Sequence, residues 1–322
     1  MFVPAVATLL QGDVMWRTLR ALTTHYETQP LPTWIGWYVH QLPLWAHQVS
    51  TATVLCMQIL LSVCVCIPGR LQYIACGGFV LLQGLLAATG NYGVANVLTV
   101  ALCLLLLDDA VLIRRWQNRL LIDSGVLRPR TWPLWVVGPI AALIVVVSGV
   151  HMGRTFEFRG EVSQLLAQLA DAVAPFRTVN AYDLFATTTN TRREIVLQGS
   201  RDGKVWHTYI FRWKPGELQR RPAFVAPHQP RLDVQMAVAA AQDGQRPVWF
   251  DRLLDRLFEG SPAVLGLLRH NPFPQEPPRY LQAILYAYRF TDAATRQREK
   301  TWWQRKQLRQ YAPVRSRRGN AS

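Results

Sequence analysis

The sequence predicts a polytopic α-helical membrane protein followed by a soluble α+β domain with a β-sandwich-like core. Three observations predict it. Long apolar runs are confined to residues 49–150, whereas the chain after His151 has the mixed composition of a globular domain. Charge divides at the same place: residues 1–150 carry eight Arg against five acids, and residues 151–322 carry 27 Lys+Arg against 15 acids. The second part also holds β-prone runs around Asp202-Gly203 and a stretch alternating from Tyr280 to Phe290.

A membrane-crossing helix needs about 20 apolar residues. Four segments approach that length: Val49 to Pro68, Leu71 to Thr89, Tyr92 to Leu107 and Pro133 to Val150. The third is short and stops at Asp108-Asp109, and the fourth opens on Trp132, Pro133 and Trp135, where indole rings favour the interface. Arg114, Arg115, Arg119, Arg128 and Arg130 place the 108–131 loop, with Arg70, on the cytoplasmic side by the positive-inside rule. Residues 1–48 and 151–322 then share the lumenal or periplasmic side. This gives three parts: an extracytoplasmic segment 1–48, a transmembrane domain 49–150 of about four spans, and a soluble domain 151–322 ending in a basic tail. Trp34, Trp37, Tyr38, Leu42, Leu44 and Trp45 predict an interfacial aromatic helix bent at Pro43.

In the soluble part the expected elements are a helix over 162–173, a hairpin around Asp202-Gly203, helices over 232–241 and 248–258, a short helix over 263–269, and a strand over 280–290. The basic residues from Arg296 to Arg318 read as a solvated or disordered tail, with lipid or partner contact as the alternative. All five Cys lie in apolar segments, so the soluble domain has no disulfide framework. No helix-turn-helix, zinc-finger or RNP pattern points to nucleic acid. GxSxG, HExxH, GxxxxGK[ST] and GxGxxG are absent, so no catalytic residues, cofactor or metal are assigned. Asp108-Asp109 reads as a helix end at the aqueous face. Asn91, Asn96 and Gln83 read as polar glue between helices.

Two polar groups remain as candidate sites. The 227–233 cluster supplies His228, Gln229, Arg231 and Asp233, which with Arg279 and Tyr280 are candidate client or partner contacts. Asp233 is read as pairing with Arg231 or capping a turn. His25, Glu27 and His40 form a candidate extracytoplasmic polar cluster.

Several strings, taken jointly, resemble the lipase maturation factor family. They are His25 to Pro30, His40 to Pro43, Thr89 to Gly93, Leu107 to Asp109, Val179 to Tyr182, Glu194 to Val196, Phe211 to Gly216, Pro227 to Asp233, Asn271 to Pro274, Pro277 to Tyr280, and Trp302-Trp303. The resemblance implies a multi-pass protein of the endoplasmic reticulum in eukaryotes, or of the inner membrane in bacteria. It also implies a chaperone-like role in assembling secreted lipases, with client protein and membrane lipids as partners. Family members carry further spans upstream, so Met1 to Leu10 is read as a start within a span and the chain as an N-terminally truncated member. The alternative function is a membrane enzyme acting on lipid or nascent polypeptide, with carboxylase-like architecture. His25, Glu27, His40, His228 and Asp233 would then converge in one pocket.

Overall fold

The computed structural model describes residues 2–10, 13–107, 132–155, 164–176, 190–242 and 246–317. Contacts divide the chain into two compact units. One comprises Met1–Thr18, Ala52–Phe79 and Leu102–Thr187; the other comprises Leu19–Thr51, Val80–Ala101 and Thr188–Ser322.

The apolar segments fold as expected for lipid, where a helix satisfies its own backbone polar groups. The helices in the N-terminal half are α1 Phe2–Leu10, α2 Val14–Arg17, α3 Ala21–Thr28, α4 Trp34–His40, α5 Leu44–Val65, α6 Arg70–Thr89 and α7 Val94–Leu104. They are followed by α8 Leu134–Thr155 and α9 Gln164–Val173. Within α5, α6 and α8, three stretches are long and apolar enough to cross a membrane: Leu44–Val65, Arg70–Thr89 and Leu134–Gly153. The third expected span contributes only α7, whose 11 residues reach about 16 Å at 1.5 Å per residue. Asp108-Asp109 lies outside the described residues. The first span begins earlier than its apolar run, because Pro43 ends the aromatic segment and opens α5 directly. In the first unit, Cys76 donates its thiol to the Cys103 carbonyl at 3.3 Å, and Val147, Val150 and Ala170 form a small buried cluster.

The second unit is built on β1 Arg192–Ser200, β2 His207–Thr208, β3 Ile210–Phe211, β4 Leu268–His270, β5 Tyr280–Phe290 and β6 Trp303–Ser316. Its helices are α10 Arg231–Ala241, α11 Val248–Phe258, α12 Pro262–Leu265 and α13 Ala293–Glu299, besides α3 and α4. A four-stranded antiparallel sheet runs β2-β1-β5-β6, and β3 pairs with β4. The expected hairpin forms because Gly203 adopts φ +74°. Asp202 accepts the Lys204 and Val205 amides at 2.8 and 2.9 Å, and these bonds hold its carboxyl down at about 2.

The sheet uses both faces, each along a different part of its length. Ile195, Leu197, Leu281, Ala283 and Leu285 bury one face beneath α10, α11 and the β3–β4 pair, with Met236, Phe250, Leu254 and Phe211 in the same core. The small pair and the helices thus take the place of a full second sandwich layer. Past Leu285 the burial changes face: Tyr288 and Phe290 are buried while Arg289 is exposed. The aromatic stripe of β5 is therefore not the main core face; its last two rings pack on Trp303.

Two expectations are corrected. In place of the expected 263–269 helix, Pro262–Leu265 is helical and Leu268–His270 is strand. The basic tail is not disordered over its described length: Trp303–Ser316 is a 14-residue strand on β5, and Arg296 and Arg298 sit in α13. Most of β6 is exposed, so the solvated reading of its charges stands.

Candidate functional site

The second unit joins sequence-distant segments through buried polar side chains. Arg192, at the start of β1, donates to the carbonyls of Glu27, Gln29 and Pro30, where α3 ends. A cation suits this place because the last carbonyls of a helix lack partners and carry partial negative charge. The same guanidinium donates to Glu194. Lys214 completes the group, its ammonium donating to Glu194 at 2.7 Å and to the Ile195 and Pro215 carbonyls at 3.0 and 3.3 Å. Glu194 is fully buried, so both cations are needed to hold its charge away from water.

Asp233 belongs to the next shell. It is buried and accepts the Trp213 and Lys214 amides, each at 2.9 Å. It neither pairs with Arg231 nor caps its own turn; it fixes the loop that delivers Lys214 to Glu194.

Glu27 faces β5. Its Oε2 accepts the Phe290 amide at 3.0 Å and lies 3.9 Å from His40 Nε2. Burial raises the Glu27 carboxyl above its ordinary value, against the Phe290 bond and the nearby Arg289 and Arg192 charges. His40 is lowered to about 4 by burial and then by His47. His25 parts from this pair: its Nε2 lies 2.5 Å from the Tyr92 hydroxyl, and burial lowers the imidazole to about 4. Gln41 Nε2 donates to the Thr291 carbonyl at 3.1 Å, fastening the end of α4 beside α13.

Asn91 forms a third link. Its Nδ2 donates to the Leu31 and Ala223 carbonyls, both at 2.9 Å, and its Oδ1 accepts the Val225 and Ala226 amides at 2.7 and 3.0 Å. It is a staple between loops rather than glue between spans. Asn96 does bond across helices, to the Gln83 carbonyl at 3.3 Å. Thr33 caps α4 by accepting the Gly36 amide, and its hydroxyl donates to the Ala88 carbonyl at 2.9 Å.

The remaining candidates are dispersed. His228, Gln229, Arg231 and Arg279 are exposed, and Tyr280 is half-buried. A cleft of about 190 Å³ lies elsewhere, lined by Val196, Thr208, Ile210, Gly216, Glu217 and Arg305 among others. Among the described residues no three of His, Cys, Asp and Glu gather to hold a metal ion. Sequence reading missed the Arg192–Glu194–Lys214 group. Its one available signal was a Glu inside an otherwise β-prone run and a Lys inside Phe-Arg-Trp-Lys-Pro-Gly.

These links tie the strings 25–30, 40–43, 89–93, 194–196, 211–216 and 227–233 into one unit; the string 179–182 lies outside the described residues. The family models described as lipase maturation factor transmembrane domain and lipase maturation factor C-terminal domain match residues 1–114 and 178–313. The chain belongs to the lipase maturation factor family. It is 31% identical to lipase maturation factor 1 of Bos taurus over 96% of this chain and 58% of that protein. It is 30% identical to lipase maturation factor 1 of Homo sapiens over 94% and 56%. For lipase maturation factor 2 of Gallus gallus the identity is 29% over 98% and 58%. The chain thus spans somewhat over half the length of the curated lipase maturation factors it matches. No solved structure matches it. Membership and the three apolar helices make it an integral membrane protein.

Proposed function

We propose that this chain is a membrane-bound, chaperone-like factor that assists folding and assembly of secreted lipases, with residues 151–322 on the lumenal or periplasmic side. In a eukaryote that places it in the endoplasmic reticulum membrane, and in a bacterium in the inner membrane. The observation that carries the reading, beside family membership, is how the polar side chains are spent. Glu27 and Asp233 are taken up by backbone amides, His25 by Tyr92, and His228 is exposed. A membrane enzyme would need these groups aimed into one pocket; a binding protein needs a rigid scaffold with its contacts outside. Asp233 then serves the scaffold, and the exposed His228, Gln229, Arg231 and Arg279, with Tyr280, are the proposed client contacts.

The test is co-expression of the full chain with a dimeric secreted lipase in cells lacking it. The proposal expects co-purification from solubilised membranes and a rise in active secreted lipase. Unchanged lipase activity and no co-purification would overturn it.

A further inference from the structure

The second unit holds two guanidinium groups in an aromatic cage beside the start of a membrane helix. Arg296, from α13, lies 3.7 Å from the Trp302 ring centre, 4.8 Å from Trp37 and 5.7 Å from Tyr38. Its Nη1 donates to the Tyr38 hydroxyl at 3.3 Å. Arg221 lies 4.3 Å from the Trp34 ring centre and 6.0 Å from that of Trp302. The two cations therefore share the Trp302 ring. Among the described residues neither has a carboxylate partner, unlike Arg192 or Arg315. Stacking fixes a guanidinium in place while leaving its N–H edge for an anion.

The cage is built on α4, which ends at His40 and turns a corner into α5 at Leu44. Gln41 binds this corner to Thr291, two residues before α13. Immediately after it, Leu42, Leu44 and Trp45 are 46%, 45% and 67% exposed. Leu44 begins a 22-residue apolar helix, about 33 Å long at 1.5 Å per residue, enough to cross a hydrocarbon core of about 30 Å. Its first turn is thus at the level of lipid headgroups, where Trp and Tyr rings favour residence. Two unpaired cations and an apolar corner continuous with a membrane span match one kind of occupant.

We propose that Arg221 and Arg296 bind the phosphodiester of an anionic phospholipid whose acyl chains lie against Leu42, Leu44 and Trp45. The site anchors the second unit to the membrane surface through its lipid contacts, independently of any client protein. Planar guanidinium groups suit a phosphate diester because each presents paired donors.

The experiment is native mass spectrometry of the full chain from mild detergent with added phosphatidylglycerol, phosphatidylcholine or inorganic phosphate. Phosphatidylglycerol adducts are expected at least tenfold above phosphatidylcholine adducts, undiminished by millimolar inorganic phosphate. Arg221→Gln with Arg296→Gln should lower them about tenfold, and Arg296→Lys, which keeps charge but loses the planar stack, by an intermediate factor. Trp45→Ser is a second variant that leaves the cage untouched and should also weaken retention. Equal retention by the double variant and wild type would overturn the proposal. So would full competition by inorganic phosphate, which would indicate a free-phosphate site.

Discussion

Glu27 Oε2 accepts the amide of Phe290 at 3.0 Å, across 263 positions of sequence. The bond joins the last turn of α3 to the end of β5, and Arg192 secures the same junction from β1. Glu27→Ala leaves a buried amide without an acceptor, which costs about 1–3 kcal/mol. Glu27→Gln keeps an acceptor and should lose less. Thermal unfolding of the purified chain in detergent checks the order: wild type, then Gln, then Ala.

The neighbouring histidines set a pH dependence. His25 and His40 are lowered to about 4 in the fold, from 6.5, so the fold favours their neutral forms. Their contribution is complete above pH 6.5 and is lost as pH falls toward 4. Glu27 is raised and acts in the opposite sense, its contribution being present at low pH and lost as pH rises through its folded value. Two histidines against one carboxyl predict a melting temperature that falls between pH 6.5 and 4. His25→Phe should flatten that fall, and Glu27→Gln should steepen it.

These features were unequally legible in the sequence. The spans and β5 announced themselves by apolar length and by alternation. β6 did not, because it lies at the edge of the sheet with most of its side chains in water, so its Gln, Arg and Lys carry no burial pattern. The buried charges were hidden for the opposite reason. Glu194 pairs with a residue two positions away and with another 20 positions on, and only the register of the folded sheet brings all three together. Glu27, in the last turn of α3, meets His40 at the far end of α4, their Oε2 and Nε2 lying 3.9 Å apart. His25, on the same helix as Glu27, faces Tyr92 instead.

The Glu194 group predicts non-additive substitutions. Lys214→Met leaves Glu194 buried with Arg192 as its remaining cation, and breaking such a pair costs about 3–5 kcal/mol. Glu194→Gln added to Lys214→Met removes the stranded charge, so the double variant should be more stable than Lys214→Met alone. Denaturant midpoints of wild type, Lys214→Met, Glu194→Gln and the double variant decide this, and a simple sum of the single effects would contradict it.

Two glycines of one helical hairpin should respond oppositely to the same change. A Cβ on Gly90 would stand 1.9 Å from Gln29 Oε1 and 2.6 Å from the Tyr92 ring. Gln29 cannot swing aside freely, because its Nε2 donates to the Tyr26 and Thr89 carbonyls at 3.2 and 2.7 Å. Gly84, six residues earlier in α6, has nothing within 4 Å of such a Cβ. Gly90→Ala must therefore displace the Gln29 bonds or the Tyr92 ring that meets His25, and should cost about 1–3 kcal/mol as overpacking. Gly84→Ala should be neutral or gain up to about 1 kcal/mol from helix propensity. Parallel melts of the two variants separate a close-packing requirement at Gly90 from a general need for small residues in this hairpin. A similar loss in both would refute the close-packing account.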